Sequence, residues 1–410
     1  MFETSHVLSA IPLLLLIPFA MAGLVLLNAG LIRSRSTAHI LVASLCAASV
    51  AALVYVVIGF GFANATGAGA HAIHAAGKDW YFLGQGRLFA KSINFAEPVG
   101  PFVLLLQLFS VALSALIPVA GGAERWRIAA VCGSSALLAA IVYPLFLFWA
   151  QSGWLSQLGF IDGGLASVQV VGGINALCIA WIVGPRQGKF SAEGIPTAMP
   201  GHNAVLVLFG CLLALVGWLG LTLAPLATAG PVGTVMLAAI NMVLAAAAGA
   251  LASLVSTRLR FGKPDASLTA NGWVAGLVAV SAAAPSVNPA AAILIGLVVG
   301  ALLVFAIEVI EIRMRVDDPT GAISVHAVGG IWGIVAVSIL GNGEFLPQML
   351  GAATLIGLVL PLSYGLNLLL DRFVPYRVPP SGERQGLDLF ELGAGAYPEF
   401  VTHREDYMRR

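Results

Sequence analysis

Apolar residues in this chain run in long unbroken windows, and the length of those windows decides what kind of protein it is. A helix needs about 20 apolar residues to cross a bilayer. Windows of that order fall near residues 7–31, 39–63, 96–121, 128–150, 164–184, 203–224, 231–256, 269–285, 288–311, 320–341 and 347–370. Eleven is odd, so the pattern predicts an all-α polytopic membrane protein whose termini lie on opposite sides. Residues 1–372 read as one membrane domain. From residue 373 the chain becomes polar and rich in Pro and Gly, which predicts a tail, 373–410, without a core of its own.

The polar residues inside the windows carry the chemical information. Gln169-Val-Val-Gly-Gly-Ile174 and His326-Ala-Val-Gly-Gly-Ile331 sit in the fifth and tenth windows, and each follows an acidic residue, Asp162 or Asp318. A polar side chain in hydrocarbon is costly and tends to face a protein interior or a watery path. The same device in each half predicts a duplicated bundle, about 7–184 and 203–341, with a site between the copies and a final helix at 347–370. Neutral imidazole donates at one nitrogen and accepts at the other, whereas an amide does both but takes up no proton near neutral pH. Gln169 and His326 therefore fit a conduit for a small polar molecule, and they also fit a helix-packing hydrogen bond. Asp162 and Asp318 stand where a carboxylate caps a helix, and substrate binding is the rival role. Glu308 and Glu311, one turn apart, are expected to pair locally with Arg313 and Arg315.

Composition narrows the class further. The 410 residues are 59% hydrophobic and only 10% charged, against about 25% charged in soluble domains. A net charge of +1 gives no footprint for nucleic acid. Basic residues alternate instead: Arg33, Arg125, Arg186, Arg258 and Arg313 with their neighbours, and the tail arginines, predict one face. Lys78, Arg87 and Lys91 fall on the other. The positive-inside rule puts the N-terminus outside and the tail in the cytoplasm, and the expected location is a bacterial inner membrane. The start has no basic n-region and its apolar run continues to about Ile32, so the first helix is expected to stay. Cys46, Cys132, Cys178 and Cys211 lie inside windows without metal spacing and read as packing residues. His71 and His74 lack a third ligand nearby, and Asn203 beside His202 reads as a cap. No cofactor is expected. Without a nucleophile–base set, a P-loop or a long loop, an enzyme is not expected either.

Across nearly its whole length the chain resembles the Amt/Mep/Rh ammonium transporter family. The matching stretches are Ala29-Gly-Leu-Ile-Arg33, Gly122-Ala-Glu-Arg125, Gly153-Trp-Leu155 with Asp162, Met199-Pro-Gly-His-Asn203 and Gly217-Trp-Leu-Gly220. They continue with Gly262-Lys-Pro-Asp265, Asp317-Asp-Pro319, Val325-His-Ala-Val-Gly-Gly330, Gly386-Leu-Asp388 and Ala396-Tyr-Pro-Glu-Phe400. The resemblance implies eleven helices in an inverted five-plus-five repeat, a homotrimer in membrane lipid, and one pore per subunit for ammonium or ammonia. It also implies a PII signal protein as partner of the tail, although Leu392 replaces the usual histidine there. Asp162, Trp218 and Asn28 take supporting positions.

Departures fall along the implied path. The second pore histidine maps onto His326, but the first maps onto Gln169, and the spacing from Asp162 to Gln169 is one residue short. The gate phenylalanine aligns with Ser110 and the recruitment tryptophan with Ala150; a shift of one residue would restore Phe109 or Trp149. Leu221 and Pro225 replace a phenylalanine and a serine, and Asn28 an aromatic residue. The expected function is an ammonium transporter or ammonia channel. The rivals are a weakly conducting ammonium sensor or transceptor, and a channel for another small neutral molecule such as carbon dioxide.

Overall fold

The structure is a computed structural model and describes residues 4–64 and 70–398. Glu399, Phe400, Arg404, Arg409 and Arg410 lie outside the described residues. Nine helices among the described residues are long and apolar enough to cross a membrane: α1 His6–Leu31, α2 Ser34–Ala63, α3 Val99–Gly121, α4 Ile128–Leu158, α5 Leu165–Val183, α6 Ala204–Ala227, α7 Val232–Phe261, α9 Pro289–Arg313 and α11 Phe345–Asp371. Two shorter apolar helices, α8 Ala266–Val280 and α10 Ile323–Ile339, occupy the eighth and tenth predicted windows. Both predicted windows overran the helices. Ser281–Ser286 closes α8 in successive turns, and Asp318–Gly321 turns before α10 begins.

The helix starts follow capping chemistry. Asn203 accepts from the Val205 and Leu206 amides, Asp265 from Leu268 and Asn288 from Ala291, at 2.8–3.1 Å. Each satisfies donors that the first turn cannot pair internally. Small residues then let helices approach closely, as membrane packing favours. Between α1 and α6, a methyl group on Gly23 would lie 2.6 Å from the Gly210 carbonyl oxygen, and one on Gly210 the same distance from that of Gly23.

The two faces of the bundle differ. On one, strands β1 Ala70–Ala75 and β2 Lys78–Gly84 form an antiparallel hairpin with a bulge between His71 and Ala72. On the other, the tail docks. Tyr376, Val378 and Leu387 are buried there, and the Val378 amide donates to the Arg125 carbonyl at 3.0 Å. Asp388 accepts from the Ala38 and His39 amides at 3.1 and 2.7 Å, and so caps α2 from 350 positions away. Glu391 does the same for Ile128 at the start of α4 and pairs with His39 Nε2 at 2.9 Å. Tail helix α12, Pro380–Gln385, places Glu383 against the Gln187 amide and Arg377.

Beneath the tail lies a buried ionic cluster. Arg186 makes two bonds of 2.9 Å to Asp317 from its side chain, one of 2.8 Å from its amide, and one of 2.7 Å to Glu124. Glu124 also holds Arg33. Arg125, fully buried, donates to the Gly184, Ala123 and Asp317 carbonyls. Burial alone would raise the Asp317 pKa, yet Arg125 and Arg186 hold it well below the usual carboxylate range. The expected local pairing of Glu308 and Glu311 does not form. Glu308 bonds Arg260 and Glu311 bonds Lys189, because packing against α7 and the segment after α5 brings those cations closer.

Candidate functional site

Gln169 and His326 meet. Both lie in π-type turns at the start of their helices, Leu165–Val170 and Ile323–Val328, a backbone form often found at functional sites. Glycines bring the two turns together reciprocally. A methyl group on Gly173 would sit 2.3 Å from the Ala327 amide, and one on Gly330 would sit 2.4 Å from the Val170 side chain. The second glycine of each Gly-Gly pair thus seats against the residue that follows the polar position of the other half.

His326 Nδ1 lies 2.8 Å from Gln169 Oε1, with both side chains buried. A carbonyl oxygen only accepts, so Nδ1 carries the hydrogen and Nε2 is left as a bare acceptor. Gln169 Nε2 and Trp218 Nε1 are buried donors without a protein partner. Trp218 stacks on His326 with ring centroids 6.4 Å apart. One acceptor beside unpaired donors suits a small neutral molecule that can both give and take a hydrogen bond. An amide passes no proton in either orientation, so the pair cannot relay one.

Three cavities lie along the helices and turns that carry this pair, and His326 lines the smallest of them. On the hairpin face a vestibule of about 360 Å3 is lined by Gln107, Ser110, Tyr143, Ala150, Asp162 and Leu221, among others. A cavity of about 10 Å3 is lined by His326, Asn28, Asn271 and Thr320, close to the smallest that holds one water-sized molecule. On the tail face a second vestibule of about 330 Å3 is lined by Arg186, Asn271, Asp318 and Thr320. Asn271 and Thr320 line both of the last two.

A family profile described as the Ammonium Transporter Family matches residues 9–397. The chain belongs to the ammonium transporter family. Among curated relatives it is 31% identical to ammonium transporter Amt2 of Archaeoglobus fulgidus, over 94% of this chain and 86% of that protein. It is 32% identical to Amt2 of Haloferax mediterranei, over 95% and 89%. Among solved structures it superposes on one titled Sensor Amt Protein with TM-score 0.86 and 27% identity, covering 94% of this chain and 98% of that one. Candida albicans Mep2 gives TM-score 0.79 at 21% identity, covering 92% and 87%, a likeness of fold. The family is one of membrane transporters and channels, not enzymes.

Ser110, Ala150, Leu221 and Pro225 all line the hairpin-face vestibule. Neither Phe109 nor Trp149 is among the described residues that line it. Phe109 packs into the hydrophobic core, and Trp149 donates its indole N–H to the Phe82 carbonyl of the hairpin at 2.8 Å. The Ser110 hydroxyl is spent on the Leu106 carbonyl of its own helix. Sequence reasoning missed Gln107, which bonds Tyr55 and Asn64 at the vestibule wall. An amide side chain in the middle of the third apolar window was the available signal. His202 and His74 are held elsewhere, His202 by Tyr397 and the Ile32 carbonyl and His74 by Asp79.

Asp162 and Asp318 both cap their helices, in different ways. Asp162 accepts from the Ala166 and Ser167 amides and from the Ser167 hydroxyl, at 2.6–3.0 Å, using both oxygens. Asp318 accepts from the Ile323 and Ser324 amides at 2.9 and 3.4 Å through Oδ2 alone.

Proposed function

We propose that the chain is an ammonia channel: ammonium gathers in the hairpin-face vestibule, gives its proton to the water there, and ammonia passes between Gln169 and His326. The observation that carries this reading is the buried Gln169–His326 hydrogen bond, set between two vestibules and beside a cavity sized for one small molecule. Asp162 is the charged side chain among the described residues lining the hairpin-face vestibule, and it favours a cation there. Farther in, the polar residues lining the small cavity, Asn28, Asn271, Thr320 and His326, are buried, and none is a carboxylate, lysine or arginine. A bare cation would lose its hydration without a counter-charge, whereas ammonia can accept from Gln169 Nε2 and donate to His326 Nε2. Because the pair cannot hand on a proton, transport is expected to carry no net charge.

The hairpin face is outside and the tail face cytoplasmic, on the distribution of basic residues. Counting α8 and α10 as crossings gives eleven, and the reciprocal Gly173 and Gly330 contacts support an inverted repeat. The working assembly is a homotrimer in the cytoplasmic membrane, with a PII signal protein as a candidate partner for the docked tail.

Proteoliposomes test this directly. An inward ammonium gradient should alkalinise the lumen faster than in empty vesicles, with no current, and His326→Ala should change the rate. No flux above empty vesicles defeats the reading. A second reading is a sensor, favoured by the 27% identity to the structure titled Sensor Amt Protein and by the narrow central cavity. Tight ammonium binding without flux would select it.

A further inference from the structure

We propose that Asp318 Oδ1 and Thr320 Oγ1 form a second binding site for ammonium, or a monovalent cation of its size, where the conduit opens onto the tail-face vestibule. The occupant's identity rests on the substrate class proposed above; the geometry of the site does not.

The inference starts from the mismatch between the two caps. Around Asp162 every carboxylate oxygen is used, and the Ser167 hydroxyl closes the set. Around Asp318 the turn before the helix is one residue longer, and that insertion separates the carboxylate from the equivalent serine. Asp318 Oδ1, Thr320 Oγ1 and Ser324 Oγ are each left buried without a partner. Asp318, Thr320 and Ser324 are themselves 8%, 3% and 1% exposed. Orphaned oxygens in a native interior call for an occupant or a function, and a carboxylate left half-bonded is the costlier kind.

Their position answers what the occupant is. Asp318 lines the tail-face vestibule, and Thr320 lines both that vestibule and the small cavity beneath His326. A particle leaving the conduit toward the tail therefore passes Thr320 before it reaches open water. The free atoms are a carboxylate oxygen and hydroxyl oxygens, which accept hydrogen bonds from a cation bearing N–H groups and equally coordinate a bare monovalent ion. The vestibule's own cations do not neutralise them. Arg186 is engaged by Asp317 and Glu124, and Lys189 by Glu311. Ammonia arriving here has a carboxyl group beside it. If that group is protonated, its O–H bond breaks and the nitrogen lone pair takes the proton. Ammonium and carboxylate result, and the carboxylate is reprotonated from the vestibule water.

The test is crystallographic and needs no flux, so it stands apart from the transport experiment. Thallium(I), close to ammonium in size, would be soaked into crystals of the full chain and located by anomalous scattering. The expected result is a peak about 3 Å from Asp318 Oδ1 and Thr320 Oγ1, displaced by added ammonium chloride. Thr320→Val leaves both cap bonds in place and should remove or strongly weaken the peak. Asp318→Asn keeps an accepting oxygen for the cap but replaces the free one with a donor, and should abolish it. A wild-type map with thallium elsewhere but none here overturns the proposal. So does a peak that survives Thr320→Val undiminished, even if Asp318→Asn fails to fold.

Discussion

The tail face and the conduit of this protein are built from opposite materials. The tail face is held by charges: Arg186, Asp317, Glu124, Arg125 and Arg33 lock together under a tail that caps two membrane helices from outside. The hairpin-face vestibule that leads to the conduit has a single charged side chain among its described lining residues, Asp162, and much of its wall is small or apolar, with Ala150 and Leu221. Charges removed from water must find partners or cost several kcal/mol each, so each member of the cluster constrains the next. An apolar wall position has no such requirement: Ala150 and Leu221 face a cavity of about 360 Å3 and can be exchanged without leaving a polar partner unpaired. The fold therefore admits substitution at apolar wall positions more readily than inside the cluster.

The largest effect is expected when one charge is removed from the cluster. Asp317→Ala leaves Arg186 and Arg125 buried beside an uncompensated gap, and the expected loss is about 3–5 kcal/mol. Thermal unfolding in detergent, or failure to recover folded protein, reads it. The pH dependence has a definite sign. Asp317 has a folded pKa below its unfolded value, so its contribution is complete above about pH 4. It fades as the pH falls through the depressed value. A variant at Ala150 or Pro225 with an equally large loss would erase the contrast.

Gly173→Val probes the seam itself. A methyl group there already meets the Ala327 backbone, and overpacking of this kind costs roughly 1–3 kcal/mol. Because backbone and not a flexible side chain lies opposite, the two turns must part. The Gln169–His326 bond should lengthen, and the flux ratio to wild type should fall further than stability does. Equal flux at reduced stability would detach the seam from the conduit.

Asp318 is where the charged scaffold reaches the conduit, and there pH should act. Burial pushes its carboxyl up to about 7, with the Ile323 and Ser324 amides opposing the rise and the charges of Asp317 and Glu311 adding to it. Asp265 and the engaged Arg186 and Lys189 also line the vestibule. An acid whose folded pKa is raised costs nothing below its unfolded pKa near 4, and the penalty is complete above about pH 7. Cation occupancy moves the other way, since it needs the carboxylate. Thallium or ammonium affinity at this site should fall about tenfold from pH 8 to pH 6, and Asp318→Asn should show no binding here at either pH.

A smaller effect is expected at the tail. Asp388→Ala uncaps α2, and cap losses run about 0.5–2 kcal/mol. Partial proteolysis should then cut the tail sooner while the membrane helices stay intact. This cap also marks the limit of what sequence alone reveals. The apolar windows located the helices, and the Gln169 and His326 repeats identified two groups that the fold brings to 2.8 Å. Their spacing carried that much because helical period and apolar length are local properties. The Asp388 cap is not local: its partner amides lie 350 positions away, and nothing around Gly386-Leu-Asp388 announces a helix elsewhere. For the same reason the partners of Glu308 and Glu311 were misread, since short-range pairing was the only pairing visible. The unequal caps escaped notice because a one-residue difference in a turn matters only once the oxygens are counted.

The gentlest change returns an aromatic ring to the vestibule. Leu221→Phe keeps an apolar side chain on a wall with open space before it, so stability should move by less than about 1.5 kcal/mol. The ring would add a cation–π contact of about 0.5–2 kcal/mol for a cation held near Asp162. Tighter binding of methylammonium, by a factor of about 2 to 30, is the expected outcome of an equilibrium titration. Ammonia passing Gln169 and His326 carries no charge for the ring to attract, so the rate of the neutral step should stay where it was. If affinity rises and maximal flux holds, recruitment and conduction are separable and the vestibule has been tuned independently of the pore. If affinity is unmoved, the cation is not held within reach of Leu221, and Asp162 draws it to a different wall of the vestibule.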